Sequence, residues 1–502
     1  MNKKITQLFR FSKKNWYTIA IISILLLTIF LRFYHYDMRW GFAYDQIHDA
    51  LVARYALLHF TFPILGPFSS AGPFVTGPEW YWLIMLGMVW NPWWILSPWI
   101  FITLLYCASV YLLIYVGQRI GGKTMGIIVG LFAATSAANI SQSVNLTNQS
   151  PIAIYSAISL FCLERFFATK KSFYLFLTGL SVGIAVNTHL EGVLLIPLLI
   201  GIGLVGRISF RYILLMIVGL LIPFIPLITF DVQHHFFNTH HMLQYYLHDQ
   251  YNVSLDVLGR NWKTYLFLFW PKSLGGIIGG YTIVGYGTGI LLIASILLFL
   301  IKDKSSKTIA GIVFALIIAV FFMRYSRTPL YESYLMYLHP WVFILVGYTL
   351  TKIYKKYTVI TICILVVLIT GSVVKVFEEI NFSTNTTYAF GQKVVHTLIR
   401  KYPHKKFSFY DYHNQSATLS SGVSLTADMS GFIDEEHGMR IGIAASQKAQ
   451  KEIFLPVIYV DGVALYTLDS LTKEEFTKQL WFGVSSKEMY HATQEWFVKE
   501  KI

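Results

Sequence analysis

The chain has 502 residues, of which 55% are hydrophobic and only 13% are charged, and its mean hydropathy is +0.54. A soluble domain has roughly a quarter of its residues charged, so this composition excludes a soluble globular protein. The net charge of +14 is spread over short segments rather than concentrated in one domain, which argues against a nucleic-acid partner. The three cysteines lie in apolar runs and indicate no disulfide framework.

Apolar runs recur along the first 375 residues and predict an all-α, polytopic membrane bundle. Most runs are close to the length of about 20 residues that crosses a bilayer as a helix. Bulky residues rather than a small-residue cleavage site follow the first run, which indicates an uncleaved span. The predicted spans are 16–34, 95–117, 123–140, 150–168, 172–186, 188–205, 210–230, 281–301, 308–323, 335–351 and 357–375, eleven in all.

Clusters of lysine and arginine predict the orientation, because such clusters favour the cytoplasmic side. They recur in alternate connections, at residues 3–14, 119–123, 165–171, 207–211, 302–307 and 352–356. The N-terminus is therefore expected in the cytoplasm and the protein in the plasma membrane. The same parity predicts two long external loops, residues 35–94 and 231–280.

Residues 79–92 are apolar and rich in tryptophan, but their apolar stretch is too short to cross the membrane. A crossing here would also move Arg119 and Lys123 to the outer side. The segment is therefore predicted to be an interfacial or re-entrant helix, a depth that indole side chains favour.

Residues 376–502 have mixed polarity and predict a small extracytoplasmic α/β domain after residues 1–375. Strand-like and helix-like runs alternate there. The predicted strands are 406–410, 453–460 and 463–467, and the predicted helices are 389–400, 473–480 and 486–498.

Asp45 begins a helical stretch in the first external loop. Asp45, Asp49 and Arg54 are expected on roughly one side of this helix, which would lie on the membrane. Its lipid-facing residues would be Ala50, Leu51, Leu57 and Leu58. The alternative for Asp45 is a helix N-cap without catalytic function.

Several short segments resemble the GT-C glycosyltransferase superfamily, in particular its branch of protein O-mannosyltransferases and aminoarabinose transferases. The segments are Tyr44-Asp45-Gln46 with Ala53-Arg54, Gly77-Pro78-Glu79-Trp80-Tyr81-Trp82-Leu83, Phe230-Asp231-Val232, and Arg327 with Tyr334-Leu335 and Pro340. Four positions depart from the pattern: Gln46 stands for a usual Glu, Gly77 for a Lys, Asn148 for a frequent Asp, and His189 for a frequent Lys.

The resemblance implies a GT-C fold and transfer of a sugar from a polyprenyl-phosphate donor, with inversion, at the external face. Asp45 would be the catalytic general base. Substrate-binding residues would be Arg54, Glu79, Tyr81, Asn148, His189, Glu191, Arg324 and Arg327, with Arg260 and Lys263 as further external cations. No metal ligand is assigned, and a divalent metal is not favoured as a cofactor. The spacing of His234, His235, His240 and His241 suits a surface helix better than a metal site.

Other functions fit parts of the same pattern. A transporter or flippase would also be polytopic, but it would more often carry ionisable residues at the bilayer midplane. A polymerase or ligase of surface glycans would share the lipid-linked substrate and differ in its acceptor. A non-catalytic scaffold would fit if Gln46 and Asn148 reflect loss of the site. The acceptor, whether glycan, lipid or protein, is not indicated by the sequence.

Overall fold

Long helices follow one another through the first 382 residues of the computed structural model. The structure describes residues 2–69, 72–206, 208–248, 261–302, 306–325, 332–382, 386–445, 453 and 455–499. The α-helices up to the second long loop are α1 (Asn2–Phe33), α2 (Tyr36–Arg39), α3 (Tyr44–Leu58), α4 (Glu79–Met88), α5 (Ser97–Gly121), α6 (Lys123–Thr135), α7 (Ala137–Ser143), α8 (Ile152–Thr169), α9 (Phe173–Thr188), α10 (Ile196–Gly206), α11 (Phe210–Leu221) and α12 (Ile225–Gln233). The following ones are α13 (Phe237–His248), α14 (Trp262–Thr264), α15 (Trp270–Ile277), α16 (Thr282–Lys302), α17 (Lys307–Arg324), α18 (His339–Tyr354) and α19 (Thr358–Phe382).

Each predicted span overlaps at least one of these helices, but their lengths differ. Within the described residues, seven helices are long and apolar enough to cross a membrane, and eight if α6 and α7 form one bent span. The remaining three predicted spans correspond to α9, to α10 with the 3-10 helix Leu190–Leu195 before it, and to α18. The multi-span helical architecture is thus confirmed, while the number eleven stays a prediction because these helices are short.

A buried arginine stabilises the break between α6 and α7, which are bent by 58° relative to each other. The Arg32 side chain is fully buried and donates hydrogen bonds to the carbonyl oxygens of Ala133 (3.1 Å) and Ala134 (3.2 Å). It also donates to Asn139 Oδ1 at 2.7 Å. The guanidinium thereby satisfies carbonyl groups that the helix break leaves without helical partners.

The Trp-rich segment of the first long loop forms α4, a helix of 10 residues that is too short to span, as predicted. One side of α4 packs against α3 and α5. Trp82, Leu86 and, just after the helix, Trp90 are exposed. An exposed aromatic face of this kind suits the interfacial depth predicted for the segment.

Helix α3 has only part of the lipid-facing side that the sequence predicted: Leu58 is exposed and Leu57 is half-buried, but the other two residues are not accessible. Ala50 and Leu51 are completely buried, because α3 is covered by α4 and by two helices of the C-terminal region. Arg54 also does not share a side with Asp45. Nine residues separate the two, which at 3.6 residues per turn places them on opposite sides of the helix.

The C-terminal region contains a five-stranded mixed sheet flanked by helices, and so has the predicted α/β character. The strands are β1 (Phe407–Tyr412), β2 (Met439–Ala444), β3 (Val457–Val460), β4 (Val463–Thr467) and β5 (Trp481–Gly483), in the order β3-β4-β2-β1-β5. Only β1 and β2 run parallel, with Phe407 opposite Met439. The helices are α20 (Thr386–Lys401), α21 (Ala417–Met429), α22 (Lys473–Lys478), α23 (Ser486–Gln494) and α24 (Trp496–Lys499).

The predicted strands and helices of this region agree with β1, β3, β4, α20, α22 and α23, whereas β2, β5 and α21 were not predicted. Helix α19 continues to Phe382, past the predicted boundary at residue 375. The division of the chain at that boundary stays a prediction.

Buried polar contacts connect the C-terminal region to the first long loop. Arg54 is fully buried, and its Nε donates to Asp428 Oδ2 of α21 at 2.7 Å. Its guanidinium also bonds the carbonyl of Pro92 and lies 4.5 Å from the centre of the Trp93 ring. A charge this deeply buried is stable only when it is paired and hydrogen-bonded.

A second contact joins α23 to the same loop through the side-chain amide of Gln494. Its oxygen accepts hydrogen bonds from the backbone nitrogens of Ile64 (3.0 Å) and Leu65 (3.1 Å). Its nitrogen donates to the Leu65 carbonyl at 2.8 Å. The C-terminal region therefore satisfies the backbone groups of Ile64 and Leu65 in this loop.

Replacing Asp428 by asparagine should lower the free energy of unfolding by about 3 kcal/mol, because Arg54 would remain buried without a counter-charge. The measurement is the Tm of the purified protein in detergent. Asp461→Asn is the matched control, since Asp461 forms an exposed ion pair with Lys393 at 2.6 Å. That control should cost less than about 1 kcal/mol. Equal Tm losses in the two variants would contradict a stabilising role for the buried pair.

Candidate active site

A cavity of about 1080 Å³ lies where α3 meets the ends of the membrane helices. Its polar end is formed by α3, by the loop between α7 and α8, and by the connection between α9 and α10. The polar lining consists of Tyr44, Asp45, His48, Asp49, Ser69, Thr76, Thr147, Asn148, Gln149, His189, Glu191, Tyr245, Tyr325 and Tyr334. The structure thus brings Asp45, Asn148, His189 and Glu191 together from three separate parts of the chain.

Asp45 presents a free carboxylate to this cavity. It lies in the first turn of α3, is exposed, and makes no hydrogen bond or ion pair with the residues that the structure describes. Partial burial and the neighbouring Asp49 carboxylate raise the pKa of Asp45 above its ordinary value, an effect that His48 partly opposes. A free carboxylate with a raised pKa is suited to accept a proton.

Asp49, one turn after Asp45, is held rigidly by three neighbours. Trp80 Nε1 donates to Asp49 Oδ2 at 2.6 Å, and the Tyr81 hydroxyl donates to Oδ1 at 3.3 Å. The Nδ1 atom of His48 lies 3.1 Å from the same Oδ1. Because both of its oxygens are occupied, Asp49 does not present a free carboxylate, and it influences Asp45 through its charge.

Gln46, which stands where the resembling family usually has an acid, faces away from the cavity lining. Its Oε1 accepts a hydrogen bond from the backbone nitrogen of Ala43 at 2.6 Å. Its Nε2 donates to Asn145 Oδ1. Gln46 thus completes the first turn of α3 and fixes the loop between α7 and α8, to which Asn145 belongs. It leaves Asp45 without an acidic neighbour at the next position in sequence.

His189 and Glu191 form the opposite polar wall. His189 Nδ1 accepts from the backbone nitrogen of Glu191 at 3.4 Å and lies 3.6 Å from the Glu191 carboxylate. Its Nε2 is 3.3 Å from the amide nitrogen of Gln149. The imidazole ring also packs on Tyr334, with ring centres 5.6 Å apart. Asn148 reaches the cavity from the same loop as Gln149.

Arg54, Tyr81 and Glu79, which were predicted to bind substrate, lie outside the cavity lining. Arg54 is bonded to Asp428, and Tyr81 supports Asp49. Glu79 is buried and accepts a hydrogen bond from Asn187 Nδ2 at 3.2 Å. Burial raises the pKa of the Glu79 carboxyl to about 7, against the effect of its backbone and Asn187 hydrogen bonds.

The same neighbourhood explains why Gly77 stands in place of a family lysine. A Cβ atom on Gly77 would lie 2.4 Å from Glu79 Oε2 and 2.7 Å from the Asn187 side chain. The Gly77 backbone nitrogen also donates to the Asn187 carbonyl at 2.8 Å. This close approach of backbone to side chain leaves no room for a lysine.

The predicted cations are not brought into the described cavity. Arg324, at the end of α17, lies over the ring of Trp262 at 4.4 Å from its centre and is not part of the lining. Lys263 is exposed and also lies apart from it. Arg327 and Arg260 fall outside the described residues. Among the described lining residues there is no lysine or arginine.

The other half of the cavity is an apolar groove between α10 and α17. Its lining consists of Leu190, Val193, Leu194, Ile196, Pro197, Ile200, Phe314, Ile318, Phe322 and Met323. Val193, Ile200 and Phe322 are exposed at its open side, on helices predicted to span the membrane. One cavity therefore joins a polar chamber, lined by the polar residues above, to this apolar groove. Such a shape suits a ligand with a polar head and a hydrocarbon tail.

Several lining residues were not among the sequence-predicted site residues. His48 and Asp49 lie three and four residues after Asp45, a spacing that places them on the same side of a helix and could have identified them. Tyr245 comes from a distant segment that no local pattern marks, whereas Tyr334 lies in the Tyr334-Leu335 segment of the family resemblance but was not assigned to the site. No group of three or more metal-ligating side chains that could hold a metal ion occurs among the described residues.

No protein-family model and no curated protein sequence matches the chain, but its fold is similar to solved structures. ArnT from Cupriavidus metallidurans in the apo state superposes with a TM-score of 0.64 at 13% identity, covering 91% of this chain and 98% of that one. The same protein bound to undecaprenyl phosphate gives a TM-score of 0.62 at the same identity and coverage. The Archaeoglobus fulgidus oligosaccharyltransferase, tethered to an acceptor peptide, gives 0.52 at 10% identity, covering 97% and 78%.

These neighbours are GT-C glycosyltransferases, so the chain has the GT-C fold that the sequence motifs led us to expect. At this level of identity the likeness concerns the fold, and function has to be argued from the site.

Proposed function

We propose that this protein is a membrane glycosyltransferase that moves a sugar from a polyprenyl-phosphate donor to an acceptor at the extracytoplasmic face. The observation that carries the proposal is the joined cavity, in which the Asp45 carboxylate faces a polar chamber continuous with an apolar groove. The ArnT neighbour was solved with undecaprenyl phosphate, a ligand of that amphiphilic type.

In the proposed reaction the donor tail lies in the groove between α10 and α17 and its sugar phosphate lies in the polar chamber. Asp45 accepts the proton of an acceptor hydroxyl or amine. The freed lone pair attacks the anomeric carbon from the side opposite the phosphate, and the bond from that carbon to the phosphate oxygen breaks. Polyprenyl phosphate leaves with the electron pair, and the anomeric configuration inverts.

Side chains of the polar wall are the proposed contacts for the phosphate and the sugar. The amides of Asn148 and Gln149 and the imidazole of His189 supply hydrogen-bond donors on the side facing Asp45. Such donors stabilise the negative charge that develops on the leaving phosphate. Arg324, which is next in sequence to the lining residues Met323 and Tyr325, is a further proposed contact, as is Arg327, which falls outside the described residues.

The orientation of the chain is also a proposal, with a cytoplasmic N-terminus and an extracytoplasmic C-terminal region. It is supported by the basic clusters between spans. In a variant without Cys363, a cysteine replacing the exposed Glu474 of α22 should react with a membrane-impermeant maleimide in intact cells. A cysteine replacing Lys171, on the predicted cytoplasmic side, should react only after permeabilisation. The reverse pattern would contradict the orientation.

Asp45→Asn should reduce sugar transfer at least about 100-fold, because it removes the proton acceptor while preserving the side-chain shape. The assay follows transfer from radiolabelled polyprenyl-phosphate sugars to total envelope acceptors by the purified protein. The wild-type rate should rise with pH through a pKa above that of an ordinary aspartate, since only the ionised carboxylate accepts a proton.

Asp37→Asn is the matched control for this experiment. Asp37 is an exposed aspartate of α2 in the same loop and lies outside the cavity lining. Its variant should keep the wild-type rate. Full transfer activity in the Asp45→Asn protein would exclude Asp45 as the base.

Binding of the donor tail in the apolar groove between α10 and α17 can be tested with a photoreactive amino acid in place of Phe322. This residue lines the groove and is 57% exposed. Irradiation should cross-link polyprenyl phosphate at this position. Phe321, the preceding residue, is 51% exposed but does not line the cavity, so the same photoreactive group there should give little product. Equal cross-linking at both positions would indicate bulk lipid contact rather than a groove.

A further inference from the structure

A second cavity, of about 570 Å³, lies on the other side of the loop between α7 and α8. It is enclosed by the end of α2, by α7 and this loop, and by the last two turns of α19. The lining residues are Arg39, Gly41, Ile140, Ser141, Val144, Asn145, Lys375, Val376, Glu378, Glu379, Ile380 and Phe382.

This cavity is separate from the proposed reaction chamber. The hydrogen bond between Gln46 and Asn145 lies between the two, as does the backbone bond from Gly41 to the Val144 carbonyl (3.0 Å). The wall is tightly packed, because a Cβ atom on Gly41 would lie 2.5 Å from Asn145 Oδ1. A ligand here would not reach Asp45 without breaking this wall.

Charges of both signs line the second cavity, and some of them are not satisfied by the protein. Arg39 donates from its Nη atoms to the carbonyls of Leu31 and Arg32, but its Nε is buried without a partner. Glu379 makes no hydrogen bond or ion pair with the described residues. The Glu379 carboxylate is therefore available to a ligand, and the Arg39 guanidinium adds a positive charge to the lining.

The other two charges have partners that fix their positions. Lys375 Nζ lies 3.6 Å from Glu378 Oε2, and Glu378 Oε1 accepts a hydrogen bond from the Tyr281 hydroxyl at 2.6 Å. Both side chains remain partly exposed. Lys375 consequently keeps donor capacity toward the cavity, whereas Glu378 has one oxygen engaged by Tyr281.

Apolar side chains surround this polar site on the side of the membrane helices. The exposed side chains are those of Tyr34, just after α1, of Met38 on α2, and of Val374 and Phe382 on α19. Phe382 lines the cavity, and Val374 precedes Lys375. A polar site of mixed charge beside exposed apolar side chains at a membrane surface suits a lipid headgroup with its acyl chains outside.

We propose that the second cavity binds the headgroup of a phospholipid that carries both a phosphate and a primary ammonium group, as phosphatidylethanolamine does. The phosphate would accept a hydrogen bond from Lys375 beside the positive charge of Arg39, and the ammonium would donate to Glu379. The bound lipid would brace the loop that carries Asn145 on one side and Asn148 and Gln149 on the other. This inference does not depend on the proposed transfer reaction.

The test uses the purified full-length protein exchanged into equal mixtures of phosphatidylethanolamine, phosphatidylcholine and phosphatidylglycerol, with bound lipid identified by native mass spectrometry. Phosphatidylethanolamine should be retained about tenfold over the other two, a ratio equal to about 1.4 kcal/mol. Phosphatidylcholine lacks N–H donors for Glu379, and phosphatidylglycerol lacks the cation. Glu379→Gln should abolish the preference, whereas Glu474→Gln, an exposed change far from the cavity, should preserve it.

Equal retention of the three lipids, or preference for phosphatidylglycerol, would overturn the proposal. So would an unchanged preference in Glu379→Gln. If that variant does not fold, lipids with one, two or three N-methyl groups are compared on the wild-type protein, where retention should fall with each lost N–H donor. None of these measurements follows sugar transfer, so their outcome is independent of the proposed enzyme activity.

Discussion

The burial of α3 is the constraint on which the rest of the structure depends. One side of this helix carries Arg54, whose charge is fully buried and therefore requires Asp428 of the C-terminal region as its partner. With that side fixed, the opposite side, which carries Asp45, faces the cavity. The C-terminal region thus covers a surface that would otherwise meet lipid, and it also sets the rotation of the helix that bears the proposed base.

Two carboxylates one turn apart on α3 are given different roles by their surroundings. Trp80, Tyr81 and His48 occupy the oxygens of Asp49, so that this side chain is fixed. Asp45 has no such partners among the described residues, and the nearby Asp49 charge helps to raise its pKa. In the proposed reaction, the charge of the fixed acid favours proton uptake by the free one, a role that does not require an acidic residue at position 46.

The loop between α7 and α8 relates the two cavities to each other. Arg32 stabilises the helix break before this loop, and the pair Gln46–Asn145 anchors its start. Beyond that anchor, Asn148 and Gln149 of the loop line the same cavity as Asp45, while Asn145 lines the mixed-charge cavity. Buried polar contacts of this kind hold a loop in one conformation because breaking them would leave unsatisfied groups. A lipid in the second cavity would act on the same loop.

The sequence by itself determined the membrane class, the short Trp-rich helix, the α/β character of the C-terminal region and the GT-C resemblance, because hydropathy, charge and helical period are local properties of the chain. It also singled out Asp45. Only the tertiary structure decided that α3 is covered by protein rather than lipid, that Arg54 pairs with Asp428, and that Glu79 and Tyr81 lie behind the cavity wall. The contribution of Tyr245 was equally undetermined. These are contacts between residues far apart in the chain, and no local pattern specifies which distant partner will satisfy a buried charge or complete a cavity.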